Sequence, residues 1–384
     1  MPWEERKTMS LRIEFVAEAM AGETSFAALC RKYNISRKTG YKWIQRMKED
    51  GDLSDRSRAP HTVGNRTPAE QEALILDCRA EHPAWGPRKI ERYLQNRGCT
   101  DIPCKSTIAN ILLRNECIDP EESEKHTPWI RFEKSFPNDL WQMDFKGEFN
   151  MLNQELCYPL TVTDDNSRMN LCLKAMPNVK YTGFKPVFSR VLSEYGRPYE
   201  ILCDHGKPWS DSKNGITEFD LWMMQLDILP IHGRIKHPQT QGKAERFHRT
   251  LKTELLRYRP MRDLTDAQAC FDKWRWEYNN ERPHEALNMK CPANCYKESK
   301  RRMIDTLTEP EYDTGEKLRK VNYKGYVSVN RKRYYLSEIL AGKLLSMREA
   351  SEDMIVLSYG QFDIAKIDLQ EGCLKRHIFR KHKV

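Results

Sequence analysis

The spacing of apolar residues changes near Pro137, and this change constrains the fold more than any other feature of the chain. Up to about residue 118, apolar residues recur at helical spacing, which is typical of amphipathic helices. Beyond Pro137, the stretch LWQMDF alternates apolar and polar side chains, as a strand does. The sequence therefore predicts a helical N-terminal part followed by a part that contains a sheet.

The second part mixes strands and helices. The stretch CYPLTVTDDNSRMNLCLKAM predicts a hairpin that turns at Asp165 and Asn166. An apolar stripe over 184–195 predicts a helix that Gly196 ends, and YEILCDHG predicts a short buried strand that ends at Asp204. A strand hairpin, a helix, a strand and further helices in this order predict an α/β or α+β core.

The C-terminal stretch from residue 321 returns to short strands. YVSVNRKRYYL predicts a hairpin about Asn330 and Arg331, and MIVLSYGQFDIAKIDL predicts another about Gly360. We expect a small β-barrel there. It is followed by a basic tail: Lys375, Arg376, Arg380, Lys381 and Lys383.

The first 50 residues predict an opening helix and then two short helices joined by a tight turn. Ser36 is placed to cap the last of these, RKTGYKWIQRMK. Such a capped basic helix is the recognition element of a helix-turn-helix domain, although an ordinary helical hairpin with a solvated basic face fits the same pattern. The opening helix would pack through Ile13, Val16, Ala17 and Met20. The recognition helix would meet DNA through Arg37, Lys38, Thr39 and Lys42.

A second helical unit follows a linker in which Arg56 and Arg58 are able to track a DNA groove. Pro87 opens one helix of this unit and Gly98 closes it. Ser106 is placed to cap the next helix. Two such units in tandem favour DNA binding over a plain hairpin. The candidate DNA contacts here are Lys105 and Ser106.

These patterns divide the chain into seven segments. The predicted bounds are a first helix-turn-helix domain at 1–50, a basic linker at 51–66, a second helix-turn-helix domain at 67–118, a linker at 119–136, an α/β catalytic core at 137–300, a linker at 301–320 and a small β-barrel with its tail at 321–384.

The charge of the chain fits a polyanionic partner. There are 64 Lys and Arg against 55 Asp and Glu, a net charge of +9, and eight Lys or Arg stand beside two Glu between Ile231 and Pro260. The twelve cysteines include no CxxC pair, so we expect reduced thiols. No signal peptide or membrane span is recognisable, and we expect a cytoplasmic bacterial protein with no membrane partner.

Three acidic residues stand out as candidates for metal chemistry. Asp144 lies within an apolar strand, Asp204 ends a second apolar strand, and Glu245 begins a helix after a loop that contains glycine. An Asp in a buried strand is costly unless it is paired or metal-bound. Three carboxylates that converge would hold two hard divalent cations, which accept phosphate oxygens. Taken singly, each has a plain alternative: a hydrogen-bonded strand Asp, a turn-capping Asp and a solvated ion pair.

The helix of Glu245 carries its apolar residues on one face and its charges on another. The apolar face consists of Ala244, Phe247, Leu251 and Leu255. The cations around Glu245 would hold the DNA backbone: Lys243, Arg246, Arg249 and Lys252. Asp164 and Asp165 are rival metal ligands, for which we favour a role in the hairpin turn. Further candidates for DNA contact are Arg282 and His284, with a packed His as an equal alternative.

The segments LWQMDFKG, TDDNSR, ILCDHG, HPQTQGKAERFHRTLK and WRWEYNNERPHEAL, in this order, resemble the integrase-core DDE transposases of bacterial insertion sequences, which are relatives of retroviral integrases. The resemblance covers roughly residues 10 to 300. It implies a ribonuclease-H-like core in which Asp144, Asp204 and Glu245 form the catalytic triad that binds Mg²⁺ or Mn²⁺, two ions per site. It also implies DNA cleavage and strand transfer.

The predicted function is therefore that of a multidomain transposase, which binds the terminal inverted repeats of a mobile element and joins the element's 3′ ends to target DNA. Paired inverted ends favour a homodimer at least. The chief alternative is a DNA-binding regulator descended from a transposase, with an inactive core. A plain metal-dependent nuclease would leave the two helical units with less to do.

Overall fold

The computed structural model describes residues 8–55, 67–118, 133–204, 206, 208–209, 215–233, 242–304 and 306–380. The chain forms two compact units, Met1–Arg66 and Thr67–Val384. The predicted segment bounds are finer than this division and stay predictions.

The first unit contains three helices, α1 (Thr8–Ala21), α2 (Phe26–Lys32) and α3 (Arg37–Asp50). The predicted cap is confirmed, since the Ser36 hydroxyl oxygen accepts a hydrogen bond from the Thr39 backbone N–H at 3.1 Å. The expected packing face of α1 is partly wrong. Phe15 and Val16 are buried, whereas Ile13 is 56% exposed and its neighbours Ala17 and Met20 also face solvent.

The second unit begins with helices α4 (Ala69–Glu81), α5 (Pro87–Asn96) and α6 (Lys105–Arg114). Pro87 is the first residue of α5, as predicted, and Gly98 follows it with a left-handed φ of 77°. The cap of α6 is Cys104 and not Ser106, so the helix begins two residues earlier than expected. Their shared core includes Ile75, Trp85, Ile90, Ile108 and Ile111.

The central sheet contains six strands. They are β1 (Leu140–Phe145), β2 (Phe149–Asn150), β3 (Leu156–Asp164), β4 (Asn170–Met176), β5 (Glu200–Cys203) and β6 (Leu229–His232). β3 pairs antiparallel with β1, β2 and β4, while β5 pairs parallel with both β1 and β6. The main strand order is therefore β4-β3-β1-β5-β6. The short strand β2 pairs with β3 on the side where β1 also pairs. This is the ribonuclease-H-like arrangement that the resemblance implied.

Helices cover both faces of this sheet. On one face lie α7 (Tyr181–Tyr195) and α8 (Glu218–Gln225), whose Phe184, Phe188 and Trp222 share a core with Trp141 and Met143 of β1. On the other lie α9 (Gly242–Leu251) and α10 (Leu264–Asn280). A π-helical turn, Lys252–Leu256, continues α9. Because side chains alternate along β1, Gln142 and Asp144 point to the α9 side.

The C-terminal strands form an open sheet, so the predicted closed barrel is not confirmed. The strands are β7 (Lys317–Lys320), β8 (Tyr326–Val329), β9 (Lys332–Tyr335), β10 (Leu344–Ser351), β11 (Met354–Tyr359), β12 (Phe362–Asp368) and β13 (Cys373–Arg380). The order of the larger sheet is β13-β12-β11-β10-β7, and β8 pairs only with β9 among the described strands. The hairpin turns at Asn330 and Gly360 are confirmed.

The C-terminal sheet packs against the central core. Ile216, Met224 and Leu229 belong to the same apolar cluster as Val327 and Leu336 of the C-terminal part. The Ser337 hydroxyl also donates a hydrogen bond to the Ile216 carbonyl at 2.6 Å. The sheet is thus continuous with the core through shared apolar packing.

All twelve cysteines are free thiols, as expected. Within the described residues, no helix has the length and apolar character needed to cross a membrane.

Candidate functional site

Asp144 and Asp204 lie at the same ends of two adjacent strands. Gln142 of β1 pairs with Leu202 of β5, and continuing this parallel register by two residues sets Asp144 opposite Asp204. Neighbouring strands in a sheet are about 4.8 Å apart. The two carboxylates that the sequence singled out are therefore neighbours, even though 60 positions separate them along the chain.

Glu245 lies in the first turn of α9, next to β1. The predicted apolar face of this helix is confirmed, since Ala244, Phe247 and Leu251 are buried while Glu245 is exposed. The Ala244 backbone N–H donates a hydrogen bond to Gln142 Oε1 at 3.1 Å. The start of α9 is thereby attached to the strand that carries Asp144.

A buried polar network continues from Gln142. Its Nε2 donates to Asp165 Oδ1 at 2.8 Å, and Lys243 Nζ donates to Asp165 Oδ2 at 2.6 Å. Lys243 and Ala244 are consecutive residues, so the network holds the first turn of α9 at two points. The sequence indicates Gln142 as a polar residue two positions before Asp144 on the same strand face, but it does not indicate the partner.

The pKa of Asp144 is raised from its usual 3.8 to about 7 by burial, and further by the negative charges of Asp204 and Glu245. The carboxylate is 18% exposed. A carboxylate that is desolvated and close to like charges is stabilised by a cation. The site is consequently short of positive charge in an otherwise basic region.

His248 lies beside Asp144, with Nδ1 3.7 Å from Asp144 Oδ2. Its Nε2 lies 2.9 Å from the Thr161 hydroxyl, which in turn donates to the Asp144 backbone carbonyl at 2.9 Å. Burial lowers the pKa of His248, and the positive charge of the nearby Lys146 adds to this effect, so that the pKa is about 4. The imidazole is thus neutral at pH 7 and does not compensate the Asp144 charge.

The carboxylates fit hard divalent cations better than soft ones, because the donor set is oxygen. Among the described residues, no group of three or more His, Cys, Asp or Glu side chains is gathered closely enough to hold a metal as a finished cage. Mg²⁺ commonly uses one or two protein carboxylates and completes its shell with water and phosphate oxygens. The uncompensated Asp144 beside Asp204 is suited to that kind of site.

Asp164 and Asp165 have structural partners. Asp164 accepts hydrogen bonds from the Asn138 and Ser167 backbone N–H groups at 2.7 and 2.8 Å, and from the Ser167 hydroxyl at 2.7 Å. Asp165 accepts from Gln142 and Lys243 as described. Both therefore shape the β3–β4 turn and its surroundings, which agrees with the hairpin interpretation.

The cations predicted to hold DNA divide into two groups. Arg246, Arg249 and Lys252 are exposed on α9 and the turn that follows it. Lys243 instead has its side chain 17% exposed in an ion pair with Asp165. Its position is explained by the attachment of α9, which argues against the predicted phosphate contact.

Arg282 and His284 are buried, contrary to what a DNA contact requires. The Arg282 guanidinium donates to both Glu254 carboxylate oxygens, from Nε at 2.9 and 3.0 Å. The His284 ring meets the edge of Tyr278 with ring centroids 4.7 Å apart. For His284, the packed interpretation fits this environment.

The candidates in the helical units occupy helix starts. Arg37, Lys38 and Lys42 are exposed on α3, and Thr39 is engaged with Ser36. Lys105 and Ser106 are exposed at the start of α6. Arg56 and Arg58 lie outside the described residues. All of these positions stay predicted DNA contacts.

Comparison with known families bears on the same regions. Models of the integrase core domain match residues 134–238 and 226–292, which together contain Asp144, Asp204 and Glu245. A helix-turn-helix domain matches 11–61 and a homeodomain-like domain matches 39–112. The chain therefore contains integrase-core domain sequence, and helix-turn-helix domain sequence precedes it.

Several proteins similar to this chain come from insertion elements. An uncharacterized protein of insertion element IS136 from Agrobacterium fabrum is 33% identical over 85 residues, 22% of this chain and 44% of that protein. The putative transposase for insertion sequence element IS5376 from Geobacillus stearothermophilus is 20% identical over 370 residues, 90% of this chain and 84% of that protein. The chain thus spans less than half of the first relative's length.

A solved structure, the HTLV-2 integrase catalytic core domain in complex with magnesium, matches 42% of this chain and 99% of its own. Its sequence identity is 18% and its TM-score is 0.34.

Proposed function

We propose that the protein is a DNA transposase that cleaves the ends of a mobile element and joins them to target DNA. The observation that carries the proposal is the parallel register of β1 and β5, whose continuation brings Asp144 next to Asp204, beside the helix start that bears Glu245. The raised pKa of Asp144 adds that the site needs positive charge. A relative that aligns with 90% of this chain over 84% of its own length is named a putative transposase, which supports the same activity.

Asp144, Asp204 and Glu245 are the proposed ligands of two Mg²⁺ or Mn²⁺ ions. When bound, these ions would activate a water or 3′-hydroxyl oxygen and stabilise the leaving oxygen. Gln142 and Lys243 keep the Glu245 turn against β1. Arg246, Arg249 and Lys252 are the proposed phosphate contacts on the same helix. Joining exchanges one phosphodiester for another, so the reaction needs no ATP.

The helical units are the proposed readers of the terminal inverted repeats. The exposed starts of α3 and α6 present polar and basic side chains, as recognition helices do. Two similar ends brought together favour a symmetric dimer. We propose that at least two copies of the chain act on a pair of ends.

A strand-transfer assay tests the proposal. Purified protein is incubated with labelled element-end DNA, a plasmid target and Mg²⁺ or Mn²⁺, and Glu245→Gln is run in parallel. Glu194→Gln is the matched control, because Glu194 is exposed on α7 on the opposite face of the sheet. We expect joined products from wild type and from the control, and none from Glu245→Gln.

Other products would indicate the alternatives. Cut ends that are never joined would indicate a nuclease. Tight binding of the ends without cutting, under either metal, would overturn the proposed catalysis and favour the DNA-binding regulator.

A further inference from the structure

The second helical unit contacts the catalytic core through ion pairs of one polarity. Arg97 Nη2 lies 3.2 Å from Glu281 Oε1, and Lys89 Nζ lies 3.8 Å from Glu254 Oε1. A third pair joins Arg88 Nη1 to Glu285 Oε1 at 3.8 Å. In each of these pairs, α5 or its cap supplies the cation and the core supplies the carboxylate. These basic side chains of the second helical unit therefore contact carboxylates of the core.

Glu254 is the buried centre of this contact. Its side chain is 8% exposed, and that of Arg282 is 9% exposed. Arg282 donates to Glu254 through Nε and also through Nη2 at 2.8 Å. A buried carboxylate held by two cations is strongly destabilised when one partner is removed. Arg282 thus prepares the carboxylate that Lys89 meets.

The contact leads directly to the candidate active site. Glu254 lies in the π-helical turn Lys252–Leu256 that continues α9, and Glu245 lies in the first turn of the same helix. Single π-helical turns of this kind are frequent at functional positions. The helix that carries Glu245 is consequently attached to β1 at its start and to the second helical unit at its end.

We propose that these pairs form a mount that fixes the second helical unit on the core and thereby sets where DNA is cut. The consequence for cutting rests on the proposed transposase function. Successive nucleotides of one strand are about 3.4 Å apart along the helix axis. If the reading helix α6 moves by a few ångströms relative to Asp144, the scissile phosphate changes by about one nucleotide. Arg282 and Glu254 are positioning residues in this proposal.

A charge-reversal cycle tests the mount. The full-length variants are Arg97→Glu, Glu281→Arg and the double variant, and they involve a partly exposed pair whose change is compatible with folding. Arg92→Glu is the matched control, since Arg92 is exposed on the same helix and belongs to none of the pairs above. Hydrogen exchange followed by mass spectrometry reports peptides from 86–97, 253–259 and 277–285 without any need for activity.

We expect each single reversal to accelerate exchange in all three peptides about fivefold. A change of about 1 kcal/mol in the free energy of local opening changes the exchange rate by that factor. The double variant should return to the wild-type rate and the control should keep it. Equal exchange in all variants, or a double variant no better than the singles, would overturn the mount.

Cut positions on labelled end DNA test the second half of the proposal. Wild type, the control and the double variant should cut at one position, whereas the single reversals should spread cutting over neighbouring phosphates. A single sharp position in every variant would overturn the link to cutting. If wild type cuts nothing, the proposed function fails, while the exchange data still decide whether the mount exists.

Discussion

Gln142 and Ala244 are joined across 102 positions of sequence by one buried hydrogen bond, from the Ala244 N–H to Gln142 Oε1 at 3.1 Å. Glu245 is the next residue, so this bond sets the height of its turn above β1. Asp144 lies two residues beyond Gln142 on the same strand face. The relative position of two candidate ligands therefore depends on an amide that has no chemical role of its own.

Replacing this amide should disturb both the fold and the site. In Gln142→Leu, the Ala244 N–H and Asp165 lose a partner in a buried setting, which costs about 1–3 kcal/mol for each such group. A displacement of the Glu245 turn by about 1 Å would slow cleavage about a hundredfold. Urea unfolding and the cleavage rate measure the two effects. Gln95→Leu, at an exposed position of α5, is the control and should change neither.

Lys243 and Arg249 should respond differently to salt, although both are cations of α9. If Arg249 meets a phosphate, Arg249→Gln lowers the slope of log affinity against log salt by about 0.9. Lys243→Gln should leave that slope unchanged and lower stability, because its charge is committed to Asp165. Fluorescence anisotropy with labelled duplex DNA at several salt concentrations measures the slopes. Equal slope changes would contradict the role assigned to Lys243.

The Arg282–Glu254 pair should behave as a buried ion pair. Among the described residues, Arg282→Met leaves Lys89 as the cation paired with Glu254, and we expect a loss of about 3–5 kcal/mol in the free energy of unfolding. Replacing both residues by Met should recover much of this loss, because no charge is then buried alone. Chemical denaturation of the two single variants and the double variant gives the coupling. A double variant as unstable as the sum of the singles would contradict it.

Asp144 and His248 should make opposed contributions to the pH dependence of stability. The pKa of Asp144 is raised from 3.8 to about 7 by burial and by its acidic neighbours, so its contribution is present below pH 3.8 and is lost as pH rises through about 7. The pKa of His248 is lowered from 6.5 to about 4 by burial, so its contribution is present above pH 6.5 and is lost as pH falls through about 4.

Single variants should separate these contributions in metal-free buffer. Between about pH 4 and 6.5, Asp144→Asn should make the free energy of unfolding rise more steeply with pH than in wild type, since the His248 contribution remains. His248→Gln should make it fall relative to wild type over the same range. Thermal melts across that range provide the measurement, and parallel curves for all three proteins would refute the assignment.

Local pattern was sufficient where local physics decides the outcome. The alternation in LWQMDF, the cap at Ser36 and the hairpin turn at Asn330 each depend on residues close in sequence, and each is confirmed. The apolar face of α9 is confirmed for the same reason, since helical spacing alone places Phe247 on the buried side.

Local sequence patterns do not predict which side chains from distant segments contact each other. A pattern of basic residues shows neither that Lys243 meets Asp165 nor that Arg282 meets Glu254, since these contacts arise only when β1, α9 and α10 are stacked. The expectation of a closed barrel is not confirmed for the same reason. Alternation predicts the strands, whereas closure depends on whether the first and last of them meet. The 56% exposure of Ile13 shows that helical spacing alone does not decide which apolar residues of a helix are buried.

The shared cluster of Ile216, Met224 and Leu229 with the C-terminal strands has an evolutionary consequence. The C-terminal strands cover apolar residues of the core, so their loss would expose those residues to water. Recombination between related elements would be tolerated poorly at residue 320, where the sequence suggested a natural seam. Lineages of this architecture should therefore inherit the last strands together with the acidic centre, as one piece.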